Sequence, residues 1–357
     1  MSPEIIVLLI FAGLFASIFM GYNTAFVLGG LSMIFGWIFI GPEVFGFFIV
    51  RLEGVMKNYD LLAVPLFLFM GVYMEKAGVA ERLYSALYLL LGGLRGGLGI
   101  STITICAVFA AATGVVGASE ITIGLIALPA MLSRNYNKSL VCGAICAGGT
   151  LGILIPPSVL IVIYGPLAGI SVGKLFLGAI FPGILLALLY ILYIAVRCYF
   201  RPEDGPPMPA EDRMVPLRRK LYLLMTSVLP TAVLVLAVLG SIFFGIAAVT
   251  EAAAVGALAG MALAAFYGRM SFGLVKEACI QTLEITSMIL MIAVGAAFFS
   301  TVFVALGGDD LIQKLFTSLP MGKWGFILGI NILLILLGMV IDWIGIVFIM
   351  VPLITPV

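Results

Sequence analysis

The sequence predicts an all-α integral membrane protein built as an inverted repeat, with re-entrant helical hairpins and a broken helix. Three observations lead there. Of its 357 residues 63% are apolar and 10% charged, against about 45–50% and about 25% in soluble domains, more apolar surface than a water-soluble fold can hide. Apolar runs near the span length of about 20 residues recur along the chain. Between them lie shorter apolar runs cut by Gly, Pro, Ser and Thr, the pattern of helices that stop partway through a bilayer.

The first run, Ile5 to Met20, has no basic stretch before it and flows into further apolar sequence, so it reads as a span and not as a cleaved signal. Full-length runs lie near 4–21, 24–40, 174–197, 220–244, 247–267 and 282–306, and short ones near 61–75, 98–113, 121–132, 139–150 and 158–168. Segments 43–58, 79–95 and 308–320 mix apolar residues with Arg51, Glu53, Lys57, Glu81, Arg82, Asp309, Asp310 and Lys314 in a helical rhythm, as surface-lying amphipathic helices do. The water-soluble stretch from Arg201 to Lys220 holds five prolines and reads as an irregular linker between two halves.

Basic residues orient the chain. Arg197, Arg201, Arg213, Arg218, Arg219 and Lys220 crowd the linker and make it cytoplasmic. A consistent path from there puts thirteen basic residues inside, leaves five outside (Arg51, Lys57, Lys174, Lys314, Lys323) and sets the N-terminus outside. On that path 98–132 enters and leaves by the cytoplasmic face, so it is a hairpin turning at Gly114 to Glu120. Residues 324–357 repeat the pattern from the other face, with a kink at Gly338 to Asp342, and their return arm GIVFIMVPLI echoes GLIALPAM of the first. The domain plan is therefore N-terminal scaffold spans and a surface helix over 1–60, a first repeat over 61–200 containing hairpin 98–132 and broken helix 139–168, the linker 201–220, and a second repeat over 221–357. The interval from Pro129 to Pro156 is 27 residues. The same interval after Pro352 puts the matching second broken helix near position 380, so the second repeat is expected to be truncated after hairpin 324–357.

The chemistry concentrates where the first hairpin is followed by CGAICAGGTLGILIPPSVLIVIYGP. Pro156 and Pro157 remove two amide donors and clash with the preceding turn, so the helix unwinds in mid-membrane. Freed carbonyls and the hydroxyls of Thr150 and Ser158 are hard oxygen ligands that suit a small alkali cation, while half-helix N-termini suit an anion. A plain packing kink is the alternative, since Gly and Pro are common in membrane helices. Thr113, Gly114, Gly117, Ser119 and Glu120 at the hairpin tip face the break. Glu120 and Asp342 sit at corresponding tips, where a carboxylate either helps to hold a cation or caps the returning arm. Glu251 and Glu284 fall nearer span ends and read as solvated. The absence of histidine removes the commonest general base and metal ligand, which weighs against an enzyme. A net charge of +1 weighs against nucleic acid as a partner. The five cysteines lie in apolar surroundings and read as packing residues, the Cys142–Cys146 pair included.

PLFLFMG (65–71), ASEITIGLIALPAM (118–131), GGTLGILIPPSVLIVIYG (148–165), GISVGKLFLGAIFPG (169–183), TEAAAVGAL (250–258) and the stretch from GMVIDW to Pro352 together resemble the large membrane subunit of tripartite ATP-independent periplasmic (TRAP) transporters, of the DctM type. The resemblance covers essentially the whole chain. It implies a sodium-coupled elevator in the bacterial cytoplasmic (inner) membrane. Its partners would be a small four-span membrane subunit and a periplasmic substrate-binding protein, its substrate a small carboxylate such as a C4-dicarboxylate, keto acid or acidic sugar. Sodium serves as the coupling ion, and no cofactor is implied. Carried over, the first sodium site falls on Gly114, Ser119, Gly149, Thr150, Gly152 and Pro156, and the hairpin half of a second on Gly338 and Asp342. Glu120, Pro157 and Ser158 are the expected substrate contacts. Glu120 stands where many relatives carry small or hydroxylated residues. Divalent-anion/sodium symporters share the hairpin plan, but their Ser-Asn-Thr tip is missing here.

Overall fold

A peptide group in hydrocarbon has no water to bond, so apolar runs satisfy themselves as helices. In the computed structural model every regular element among the described residues is helical. The structure describes residues 3–114, 116–209, 216–309, 311, 322–339, 341 and 343–354. By contact the chain divides into two units, one of residues 1–58, 167–169 and 284–357, the other of residues 59–166 and 170–283.

The first unit holds α1 (Pro3–Phe19), α2 (Thr24–Phe39), α3 (Val44–Met56), the greater part of α13 (Phe272–Ala305), α14 (Gly322–Gly338) and α15 (Trp343–Ile354). Asn23 starts α2 by accepting the Ala25 amide at 3.0 Å. Small residues set the spacing of these helices. A Cβ on Gly295 would stand 2.7 Å from the Ala25 carbonyl oxygen, and one on Gly36 would overlap Val44. Val44, Phe298 and Val302 form the buried centre, with Phe48 edge-on to Phe298 at 5.3 Å. The expected surface segment 43–58 is α3, and its Arg51 Nε donates to Thr301 Oγ1 at 2.6 Å. The expected surface helix at 308–320 lies almost wholly outside the described residues.

The second unit holds α4 (Ala63–Lys76), α5 (Val79–Leu91), α6 (Gly97–Thr113), α7 (Val116–Leu132), α8 (Lys138–Leu154), α9 (Val159–Ala168), α10 (Val172–Phe200), α11 (Leu217–Phe243), α12 (Val249–Phe266) and the first turns of α13. TEAAAVGAL now has a packing reason. Gly256 and Gly260 lie one turn apart on the buried face of α12, where a Cβ on Gly256 would reach 2.7 Å from Met70 Sδ and one on Gly260 would sit 3.4 Å from the Met70 carbonyl oxygen on α4. α5 is amphipathic as expected, burying Val79, Ala80, Leu83 and Tyr84, while Arg82 lies 4.3 Å above the Tyr267 ring. Among the described residues four helical stretches are long and apolar enough to cross a membrane, α10, Tyr222–Phe243 of α11, α12 and α13, and six are if each of two bent pairs, α3 with α4 and α8 with α9, counts as one span. α10 leaves Leu177, Phe181, Ile184, Leu185 and Leu188 exposed, an apolar face whose solvent is lipid.

Two expectations change. α13 begins ten residues before the expected span at 282, because FGLVKEACIQ keeps a helical register that an apolar window cuts off. At its described ends the linker is less irregular than five prolines imply. α11 already starts at Leu217, and residues 202–208 are bound to the ends of three helices. Gly96 N–H donates to the Gly205 carbonyl at 2.8 Å, Met208 N–H to that of Gly92 at 2.7 Å, and Asn137 N–H to that of Asp204 at 3.0 Å. The Asp204 carboxylate accepts from Arg197 Nε at 2.8 Å and from Asn137 Nδ2 at 2.9 Å. Beneath this strap Cys198 is fully buried, and a Cβ on Gly205 would stand 2.6 Å from its Sγ.

The hydrogen bond from Arg197, then that from Asn137, holds the Asp204 carboxyl below its usual range despite its burial. A carboxyl lowered on folding contributes stability that is present above its unfolded pKa of about 3.9 and lost as pH falls through the folded value. Amide protection at Gly96 and Asn137 is therefore expected to hold from about pH 8 to about pH 5 and to fade only in stronger acid. Asp204→Asn should raise the rate of Cys198 alkylation at neutral pH, on the order of tenfold, in a chain whose exposed Cys142, Cys146 and Cys279 are replaced by serine. An unchanged rate would show that the carboxylate does not hold the strap.

Candidate functional site

Four helix ends meet where the first hairpin turns. α6 ends at Thr113 and α8 at Leu154, presenting carbonyls; α7 starts at Val116 and α9 at Val159, presenting amides. Gly114 makes the turn in the left-handed region, φ +64°. Its carbonyl accepts the Val159 amide at 3.4 Å, so the hairpin tip is bonded to the first residue of α9. Across the break α8 and α9 bend by 42°. Ile155, at φ −82° and ψ 121°, leaves the helix while its amide still bonds the Leu151 carbonyl at 2.8 Å. Pro156, Pro157 and Ser158 follow, all buried. The Ser158 hydroxyl has no hydrogen-bond partner among the described residues.

Glycines let these pieces touch. A Cβ on Gly114 would lie 2.8 Å from the Pro157 carbonyl oxygen, and one on Gly71 of α4 would lie 2.5 Å from that of Thr113. Gly148 fits against Cys106 of α6. Gly149 lies directly under Glu120, where an added Cβ would come within 2.6 Å of the carboxyl carbon. Thr122, half a turn on, donates to Glu75 Oε1 of α4 at 2.8 Å.

Gly114, Glu120, Gly149, Pro156, Pro157 and Ser158 are thus gathered around one tip and one break, with Gly152 buried in the last turn of α8. Thr150 is exposed, and its hydroxyl donates to the Ala147 carbonyl at 2.8 Å. The backbone of Ser119 lies in α7, but its side chain is outside the described residues, as is Asp342. Gly338 closes α14, and the Ile341 amide bonds the Leu337 carbonyl at 2.8 Å in the turn toward α15. Sequence reading missed Gly71 and Glu75. The signal for Gly71 was available: it is the one small residue ending PLFLFMG, a run otherwise too bulky for backbone contact.

Among the described residues no three of Cys, Asp and Glu cluster as a transition-metal site would require. Among the described residues the oxygens gathered here are carbonyls, the hydroxyls of Thr113 and Ser158 and the Glu120 carboxylate. Such a set can hold a hard cation, with two half-helix N-termini beside it for an anion.

Residues 11–357 match the model of the family described as tripartite ATP-independent periplasmic transporter, DctM component. The chain is 32% identical over 332 residues to the C4-dicarboxylate TRAP transporter large permease protein DctM of Pseudomonas aeruginosa, covering 92% of this chain and 75% of that protein. It is 30% identical to the ectoine/5-hydroxyectoine TRAP transporter large permease protein of Ruegeria pomeroyi, across 85% of this chain and 69% of that one. A third relative, the isethionate TRAP transporter permease protein DctMQ of Oleidesulfovibrio alaskensis, is 30% identical over 85% of this chain, which spans about half that longer protein (47%).

Gly114→Ala is expected to destabilise the purified protein by about 1–2 kcal/mol from the left-handed backbone alone, with further loss from the contact to Pro157. Gly143→Ala, whose Cβ would meet open space, is the control. Thermal unfolding in detergent distinguishes them. Equal midpoints would mean that the tip is not held against the break.

Proposed function

This chain belongs to the DctM component family of tripartite ATP-independent periplasmic transporters, and from that premise we propose that it is the sodium-coupled permease of a binding-protein-dependent importer for a small organic acid. It is a multi-pass membrane transporter subunit and not an enzyme. The reading adds a bacterial cytoplasmic membrane, a small four-span subunit, a periplasmic binding protein, and an elevator built on the inverted repeat. The relatives named for C4-dicarboxylates, ectoine and isethionate favour a small acid, with a carboxylate as the first choice.

One observation carries the ion site: the fully buried Ser158 hydroxyl, unpartnered among the described residues, at the break opened by Pro156 and Pro157, where the Gly114 carbonyl makes only a long bond of 3.4 Å to the Val159 amide. A buried hydroxyl left unpaired costs about 1–3 kcal/mol, a cost that a coordinated cation removes. Gly149 and Gly152 keep the last turn of α8 thin enough for its backbone to take part. Thr150 and Ser119 complete the proposed first site, and Gly338 with Asp342 begins the second. Glu120 over Gly149 adds negative charge that favours the cation and repels an acid until the cation is bound. Ion and substrate then enter together, with Pro157 and Ser158 lining the substrate side. A cation that binds the closed tip better than the open one shifts that equilibrium by its differential affinity, the physical content of coupling.

The test is sodium-dependent uptake in proteoliposomes containing the full chain, its small subunit and its binding protein. Ser158→Ala should raise the half-saturating sodium concentration about fivefold, and Thr150→Val, whose hydroxyl is already bonded to Ala147, by less. Uptake that follows an imposed proton gradient and ignores sodium in every variant would reject sodium coupling.

A further inference from the structure

Away from the hairpin and break, α10 carries a second built feature. Leu189, Tyr193 and Arg197 recur every four residues and form a ridge with a shallow apolar face of α10 on one side and an open apolar groove on the other. The face is lined by α10 alone and continues the ridge through Leu192 and Val196 to Arg201. The groove, of about 390 Å³, runs between α10, α6 and α8, past Ile103, Leu140 and Ala144, with Ser139 at its rim. The ridge ends in a basic group. Arg197 and Arg201 are one turn apart, and exposed Lys138 adjoins Ser139.

Arg197 is held before anything binds. Its Nε donates to Asp204 at 2.8 Å and its Nη1 to the Tyr193 hydroxyl at 3.0 Å. Asp204 is itself buried and turned toward Asn137, so its charge is spent on fixing the arginine. Arg201, exposed at the end of the apolar face of α10, carries charge that this ion pair does not neutralise. A fixed guanidinium loses less entropy on taking up a planar or tetrahedral anion than a free one. An apolar face and an apolar groove on either side of a ridge that ends in cations match a molecule with two hydrocarbon tails and one anionic head. By the distribution of basic residues this end of α10 faces the cytoplasmic leaflet, where anionic lipids attract basic groups at about 1 kcal/mol per residue.

We propose that this ridge is a binding site for one anionic phospholipid, with the phosphodiester against Arg197 and Arg201, one acyl chain in the groove and the other along the α10 face. The site lies on α10 and the linker strap, apart from the residues that meet the transported ion and acid. Binding a lipid there ties the strap to the membrane surface, because Asp204 joins the headgroup ligand Arg197 to Asn137 and the start of α8.

The full chain is reconstituted in nanodiscs of phosphatidylcholine with a minority of phosphatidylglycerol, and lipid carried through gentle delipidation is counted by native mass spectrometry. Wild type should retain phosphatidylglycerol in preference to phosphatidylcholine. Arg201→Gln should lower that preference about fivefold, and Leu192→Gln, which leaves both charges in place, should shorten retention of the lipid by wetting the apolar face. Lys174→Gln at the opposite end of α10 should do neither, and added inorganic phosphate should not displace the lipid. Equal retention of the two lipids by wild type, or a preference untouched by Arg201→Gln in protein of unchanged thermal midpoint, overturns the proposal. So does displacement of the lipid when the small subunit is bound, which assigns the ridge to a protein contact.

Discussion

Everything at the centre of the second unit follows from one constraint: peptide groups freed from a helix inside a membrane must find partners within the protein. The Pro156–Pro157 pair ends α8 regardless of what surrounds it, because neither residue can donate and each crowds the turn before it. The broken end needs another irregular piece at the same depth, and the Gly114 turn supplies it through the hydrogen bond to Val159. Two defects that would each be costly alone thus become one site. The same meeting brings carbonyl-bearing and amide-bearing helix ends together, which is the electrostatic requirement for holding ions of both signs.

Such a meeting is possible only if side chains stay out of the way. Lipid offers no hydrophobic drive for helix association, so close approach has to come from shape. Gly71 against Thr113, Gly114 against Pro157, Gly149 under Glu120, and Gly256 with Gly260 against Met70 are all positions where a methyl group would meet atoms at 3.4 Å or less. Glycine here has a steric purpose, and at Gly114 a conformational one as well. The exposed leucines and phenylalanines of α10 show the converse. Where a helix faces lipid, bulk costs nothing and the sequence has it in abundance.

The helices and the candidate site were legible to different degrees for this reason. Apolar runs, the proline pair and the glycine clusters are local signals, and they located α6 and α9 to within a residue, while α7 starts five residues before its apolar run and α8 ends four residues after its own. Which residue faces which is a tertiary matter. Thr150 looked equivalent to Ser158 as an oxygen donor until the bend turned one outward, bonded to its own helix, and left the other buried. Gly71 and Glu75 sit some forty residues upstream of the hairpin tip, and nothing local links them to it. The strap over Cys198 was hidden because proline-rich sequence usually signals irregularity, whereas here residues 202–208 are irregular and still fixed by backbone bonds. The start of α13 was lost to the charges at Lys276 and Glu277, which a hydropathy window penalises but a helix end outside the lipid tolerates.

Glu120 shows how the site departs from a simple cage of carbonyls, and the proposed function gives that departure a use. A carboxylate near the N-terminal turn of α7 is already favoured by the helix dipole, so its placement costs little. On the proposed reading its charge opposes an approaching acid whenever the cation is absent, since like charges separated by a few ångströms in a poorly hydrated site repel strongly. With the cation bound, the local charge is balanced and the amide ends of α7 and α9 are left to attract the anion. Carbonyls alone hold a cation but only weakly discourage an anion that arrives without one. A carboxylate sharpens that condition, so a small or hydroxylated residue at the same tip would bind the ion with looser coupling to the acid.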